Sequence, residues 1–203
     1  MRRGGIILCG GKSSRMRRDK ATLPFGPEAM LQRIVRLLNE VVDLDKLIVV
    51  AAANQPLPTL PAEITIARDD HPERGPLEGM AAGFRAIAGR ADAVFVTGCD
   101  VPLLVPAFVE KMFELLADYE IAVPRDGEFH HPLAAVYRTS VLAPIEKLLA
   151  ADRLRPRFLF DQLCTREVPV DDLRSVDPQL ATLKNLNRPQ DYFEALAMAG
   201  FNS

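Results

Sequence analysis

Short apolar runs alternate with stretches in which hydrophobic residues recur at every third or fourth position, almost to the end of the chain. The runs at 5–9, 47–53, 64–67, 93–97, 121–124 and 167–170 read as strands, and those at 47–53 and 93–97 are continuous enough to be buried. Leu31, Ile34, Val35 and Leu38 fall at helical spacing. So do Leu77, Met80, Ala81, Phe84 and Ile87, behind Pro76, which suits the first residue of a helix. Further helices are predicted at 106–118, 141–151, 156–163 and 189–199, the last stopped by Gly200. Three prolines make 55–61 a loop, and 183–186 reads as a short extended piece. Asp126-Gly127 signals a turn, which makes 133–137 an antiparallel or edge strand. Strand–helix alternation of this kind predicts a three-layer α/β fold with a mostly parallel sheet and an antiparallel addition. No composition break divides residues 1–203, so a single domain is expected.

In a parallel sheet, ligands bind beyond the carboxyl ends of the strands. Three segments converge there. The first follows strand 5–9 and contains Gly10-Gly11, Ser13-Ser14 and the cations Lys12, Arg15, Arg17, Arg18 and Lys20. Backbone N–H groups of such a loop wrap a polyphosphate while the cations neutralise it, and Arg15 and Lys20 are the candidate phosphate contacts. The P-loop pattern is excluded because its first glycine would fall at Ile6, and no later glycines complete a dinucleotide fingerprint. The second segment runs from Asp69 to Gly79, where Gly75-Pro76-Leu77 opens a helix whose N-terminus suits a base or ribose. The third is Gly98-Cys99-Asp100-Val101-Pro102.

Asp100 follows a buried strand directly and is braced by Val-Pro, so its carboxylate points into the ligand cleft; the competing reading is a turn cap. Mg²⁺ takes one or two carboxylates, with water and substrate phosphate oxygens, so Asp100 suffices as its protein ligand. His130 and His131 are adjacent on a strand, face opposite ways and do not chelate one ion; one of them is left to line a substrate pocket. Arg153, Arg155 and Arg157 form either a charged surface or a site for a second, anionic substrate.

Composition narrows the classes. The net charge is -2, so the cationic loop is a local feature, pointing to a nucleotide and away from nucleic acid. No apolar run is long enough to span a bilayer, and no signal peptide is read at the start. The three cysteines, Cys9, Cys99 and Cys164, lack metal-ligand spacing and suit a reducing, cytoplasmic setting. Cys9 and Cys99 both fall at strand ends and read as small core residues.

The segments Leu8-Cys9-Gly10-Gly11-Lys12-Ser13-Ser14-Arg15-Met16, Asp19-Lys20-Ala21, Gly75-Pro76-Leu77, Cys99-Asp100-Val101-Pro102, His131-Pro132 and Asn185-Leu186-Asn187-Arg188-Pro189 resemble, in order, those of the molybdenum cofactor guanylyltransferases. The resemblance covers nearly the whole chain and implies a Rossmann-like nucleotidyltransferase fold. It also implies transfer of GMP from GTP to molybdopterin (or Mo-molybdopterin), with Mg²⁺ as cofactor. Transient contact with proteins that supply or receive the cofactor is implied too. By the same resemblance Leu8, Cys9 and Gly10 meet the nucleotide through backbone groups and Lys20 meets phosphate. Asp69 and Asp100 lie in the GTP site, where Asp100 holds Mg²⁺. Asn185 and Asn187 face the acceptor, for which Arg155 and His131 are further candidates.

The chain departs from the family pattern at Cys9 (usually Ala), Arg17 (usually Gly) and Ala52 (often Asn). Asp69 and Asp70 compete for one role, because the matching there needs a gap. Rival readings are a cytidylyltransferase, a nucleotidyltransferase for another small phosphate, and a non-catalytic GTP-binding adaptor. Val101 favours the guanylyl reading, since a Gln is expected there in the cytidylyl enzymes.

Overall fold

The computed structural model describes residues 1–10, 19–69 and 71–201. Strand β1 (Arg3–Leu8) is followed by a two-residue hairpin, β2 (Pro24–Phe25) and β3 (Glu28–Ala29), and by helix α1 (Met30–Leu38). Next come β4 (Leu47–Ala52), β5 (Thr65–Asp69), α2 (Pro76–Ile87), β6 (Ala93–Gly98) and α3 (Pro106–Leu116). The second half holds β7 (Ile121–Asp126), β8 (Phe129–His130), β9 (Ala134–Arg138), α4 (Leu142–Ala150), α5 (Arg157–Phe160), β10 (Thr165–Pro169) and α6 (Pro189–Met198).

Among the described residues the main sheet runs β10-β7-β9-β6-β1-β4-β5, with β8 hanging on β7. β1 pairs in parallel with β4 and β6, β4 with β5, and β10 with β7. Only β9 and the short β8 run the other way. The expected antiparallel addition is therefore present, but β9 lies inside the sheet, between β6 and β7. Ala134–Tyr137 are all buried, which an edge strand would not need.

Alternation along β1 explains the layers. Ile7, with Val49 and Phe95, faces α1 and α3; Ile6, with Ile48, Val94 and Val96, faces α2 and α4. α2 lies close on β1 because Gly83 carries no side chain: a Cβ there would stand 2.7 Å from the Ile6 side chain. That close seat brings the first turn of α2 to the strand tips. A third, smaller cluster joins Leu23, Phe25 and Met30 to Leu186, Ala195 and Leu196. It packs the segment after Lys20 against the segment holding Asn185 and Asn187. The Tyr192 hydroxyl adds a hydrogen bond to the Pro24 carbonyl.

Some boundaries differ from expectation. The 183–186 piece is preceded by one 3-10 turn, Ala181–Leu183, because buried Asp177 accepts from Ala181 N–H (2.8 Å) and Thr182 N–H (2.9 Å) and coils the chain. The helix expected over 156–163 contracts to Arg157–Phe160. β5 extends two residues further than predicted, to the buried Asp69. Gly200 has φ +79° and ends α6 as foreseen. Among the described residues no helix is long and apolar enough to cross a membrane.

Candidate active site

The register aligns the strand tips. Leu8 pairs with Val50 and Gly98, and Ala52 pairs with Asp69, so β1, β4, β5 and β6 end on one edge. The ladder continues one step further: Cys9 N–H donates to the Val50 carbonyl (2.7 Å) and Cys99 N–H to that of Leu8 (3.0 Å). Residues just past these tips are thereby held by sheet hydrogen bonds, before any loop begins.

Asp100 and Lys20 meet at this edge. Lys20 Nζ lies 2.9 Å from Asp100 Oδ2, each side chain 18% exposed, and 3.4 Å from Asn187 Oδ1. The two groups lie 80 residues apart in sequence, so the fold alone brings them together. The carboxylate is also shaped by Gly98. A Cβ there would fall 2.6 Å from Asp100 Oδ1, so glycine lets the carboxylate fold back over the end of β6. Leu186 N–H donates to the Asp100 carbonyl (2.9 Å), while Asp191 accepts from Asn187 N–H (2.9 Å) and Arg188 N–H (2.8 Å). Asn187 is thus brought to Lys20; Asn185, also exposed, sits one residue before the buried Leu186.

Asp69 ends β5 and is buried, accepting from His71 N–H at 2.8 Å. The first turns of α2 pass close to it: a Cβ on Gly79 would lie in ordinary contact with Leu8 (3.4 Å) and Asp69 Oδ2 (3.7 Å). Gly75 has φ +83°, a conformation that glycine adopts freely, and Pro76 then begins α2 beside buried Leu77. Arg74 ties this corner to the other half of the sheet. Its guanidinium pairs with Glu78 (3.0 Å) and donates to the Leu149 carbonyl at the end of α4 (2.8 Å). The Leu154 carbonyl lies 3.9 Å from where a Gly75 Cβ would be, so the arginine-rich 153–157 segment passes close to the start of α2. Arg155 is exposed there.

His131 sits at the same edge, between the end of β7 and the start of β9, with its N–H on the Pro124 carbonyl (2.9 Å). The buried Tyr137 hydroxyl donates to the Pro132 carbonyl (2.8 Å) and fixes this turn. Burial pushes the His131 pKa down, so its imidazole is neutral at pH 7. His130 turns to Glu167 (2.8 Å) and to the Phe160 ring, in keeping with the opposite facing of adjacent strand residues. Arg15, Gly11 and the cations Lys12, Arg17 and Arg18 lie outside the described residues, as does Asp70.

One residue at this edge escaped sequence reasoning. Gln55 sits at the head of a proline-rich loop, and only the fold shows its amide touching Cys9, Asp19 and Ala52. The cysteine reading is sharper in the structure. Cys9 and Cys99 are buried side by side, and the Cys9 pKa is raised by a hydrogen bond to Cys99 and by burial. With Cys164 exposed, a thiol reagent at pH 7.5 is expected to label one cysteine per chain, and all three after denaturation. Two fast-reacting thiols in the folded protein would contradict this packing.

An ammonium and carboxylates gathered beyond parallel strand tips suit the nucleotidyltransferase class of α/β enzyme, and comparison with known proteins places the chain in that class. A family model described as the MobA-like NTP transferase domain matches residues 5–167, and the chain belongs to that family. A protein of Mycobacterium avium named "Probable molybdenum cofactor guanylyltransferase" is 36% identical over 204 residues, covering 98% of this chain and 97% of its own length. The solved molybdopterin-guanine dinucleotide biosynthesis protein A of Archaeoglobus fulgidus superposes with a TM-score of 0.79 at 18% identity, covering 97% of this chain and 98% of its own. The 2-C-methyl-D-erythritol 4-phosphate cytidylyltransferase of Thermus thermophilus gives 0.72 at 15% identity, covering 98% and 100%. The last two similarities speak for the fold alone.

Proposed function

We propose that this nucleotidyltransferase moves GMP from GTP to the terminal phosphate of molybdopterin, releasing pyrophosphate. The observation that carries the reading is the contact of Lys20 with Asp100 at 2.9 Å, with Asn187 alongside, at the edge where β1 and β6 end. The mycobacterial relative's name supports the choice of nucleotide and acceptor. Val101 after Asp100 favours guanylyl over cytidylyl transfer by the resemblance noted above.

The donor set fits a hard divalent cation. Asp100 offers a carboxylate at a strand tip, only part of it covered by Lys20, and a lone carboxylate suits Mg²⁺ when phosphate oxygens complete the shell. Mg²⁺ on Asp100 would neutralise triphosphate charge and act as a Lewis acid there. The chain's own groups do the rest. Of the backbone groups of Leu8, Cys9 and Gly10, the Cys9 N–H and the Leu8 and Cys9 carbonyls already bond Val50, Cys99 and Gln55, so Gly10, with the N-terminal turn of α2 at Gly75-Pro76-Leu77, is left to hold the nucleoside. Asp69 closes its far side. Lys20, with Arg15, binds the phosphates and balances charge that builds on the departing pyrophosphate. Asn185, Asn187, Arg155 and neutral His131 surround the acceptor. An oxygen of the acceptor phosphate bonds to the α-phosphorus in line as the bond to the pyrophosphate oxygen breaks. That oxygen is ionised near neutral pH, so no general base is needed and alignment carries the rate.

The test is radiolabelled GTP with molybdopterin and Mg²⁺, scored for guanine dinucleotide and pyrophosphate and run against CTP, ATP and UTP. Guanine dinucleotide as the main product is expected. Preferential use of CTP would replace the guanylyl reading with a cytidylyl one, and GTP binding without pyrophosphate release would favour an adaptor.

A further inference from the structure

Gln55 joins three segments of chain at the nucleotide edge. Its Oε1 accepts from Ala52 N–H at the end of β4 (3.1 Å). Its Nε2 donates to the Cys9 carbonyl just past β1 (2.9 Å) and to Asp19 Oδ1 (2.9 Å). The same Asp19 oxygen accepts from Ala21 N–H (3.0 Å) and so caps the short 3-10 turn Lys20–Thr22 that carries the site's lysine. The base of the side chain is itself pinned. Gln55 N–H closes a turn onto the Ala52 carbonyl (3.1 Å), and Arg68 donates to that carbonyl at 2.9 Å.

A primary amide has two hydrogens to give, and both are committed to protein acceptors here. Gln55 therefore has no donor left for a base, and it does not stand in for the asparagine that related enzymes often carry where this chain has Ala52. What it does is fix one distance. Cys9 and Asp19 bracket the glycine- and cation-rich segment, and a single side chain bonds both ends. We propose that Gln55 is a positioning residue for nucleotide binding. It holds the Cys9 backbone and the Asp19-Lys20 turn against one another at the edge where the nucleotide is proposed to bind. This rests on the nucleotide site described above and adds to it a residue that touches no substrate atom.

Two variants separate positioning from folding. Gln55→Ala removes all three bonds. Gln55→Glu keeps the size and the acceptor for Ala52 N–H, but sets a carboxylate against the Cys9 carbonyl and Asp19. Calorimetry of GTP with Mg²⁺, without acceptor, is compared with initial rates and melting temperatures. The Kd and KM for GTP are expected to rise about tenfold in Gln55→Ala and further in Gln55→Glu, as for loss of a hydrogen bond to a charged group. The KM for the acceptor is expected to stay unchanged. GTP affinity equal to wild type in both variants overturns the proposal. So does a loss that merely tracks the fraction of folded protein, which would make Gln55 purely structural. A wild type that binds GTP yet transfers nothing overturns the proposed reaction and leaves the Gln55 comparison readable. A wild type that binds no nucleotide overturns both.

Discussion

Asp100→Asn is expected to lower GMP transfer about a thousandfold, roughly 4 kcal/mol of barrier lowering, while the protein stays folded. The substitution is nearly isosteric. It keeps the packing against Gly98 and the backbone carbonyl that accepts from Leu186 N–H, so the strand tip retains its shape. What disappears is the charge that pairs Lys20 at 2.9 Å and that, in the proposed reaction, would anchor the divalent ion. With both side chains only 18% exposed, loss of the pair is expected to cost somewhat more than a solvated ion pair, about 2 kcal/mol of stability. Single-turnover transfer over a Mg²⁺ titration, with a thermal melt alongside, separates the two effects. A variant with wild-type turnover and unchanged Mg²⁺ dependence would remove Asp100 from the role assigned to it. Asp100→Ala should fail as completely, since the missing property is charge and not volume.

Much of the fold follows from signals that are local in sequence. The continuous apolar runs of β4 and β6 need burial on both faces, and the helical spacing in α1 and α2 needs one face covered. Asp100 was legible because it stands directly after a strand whose direction the pattern fixes, and Lys20 because it belongs to a cation cluster that follows another. Gln55 was not, since its value comes from contacts 46 and 36 residues away that no spacing rule records. Nor was the interior place of β9, because an antiparallel strand buried on both sides carries the same apolar string as a parallel one. The hairpin β2–β3 is short enough that turn chemistry at Gly26-Pro27, with φ +64° at Gly26, says little without the Phe25 and Leu186 packing beneath it. The proposed acceptor side is the least legible part. Asn187, Arg155 and His131 come from three separate segments, and the bonds that shape these segments, Asp191 with Asn187, Arg74 with the Leu149 carbonyl and Tyr137 with the Pro132 carbonyl, carry no motif of their own.

Lys20→Met is expected to cut kcat by about a hundredfold or more and to raise the KM for GTP, because a cation on the phosphates acts in both binding and the transition state. Methionine keeps the length of the side chain and removes only the ammonium. Lys20→Arg should recover part of the loss. A guanidinium is wider and flatter than an ammonium, and the site pairs Lys20 with a single oxygen of Asp100 and one of Asn187, a point-charge arrangement and not a fork. The sharper measurement is the double variant Lys20→Met/Asp100→Asn. If the two groups act as one unit on the same triphosphate, the second substitution adds little to the first, and the pair loses far less than the product of the single losses. Fully multiplicative losses would mean that Lys20 and Asp100 serve different steps, and their contact would then be only an ion pair of the empty enzyme. Salt gives an independent check. The Lys20→Met deficit should shrink as ionic strength rises and weakens the wild-type charge contact, whereas a deficit indifferent to salt would point to lost packing instead.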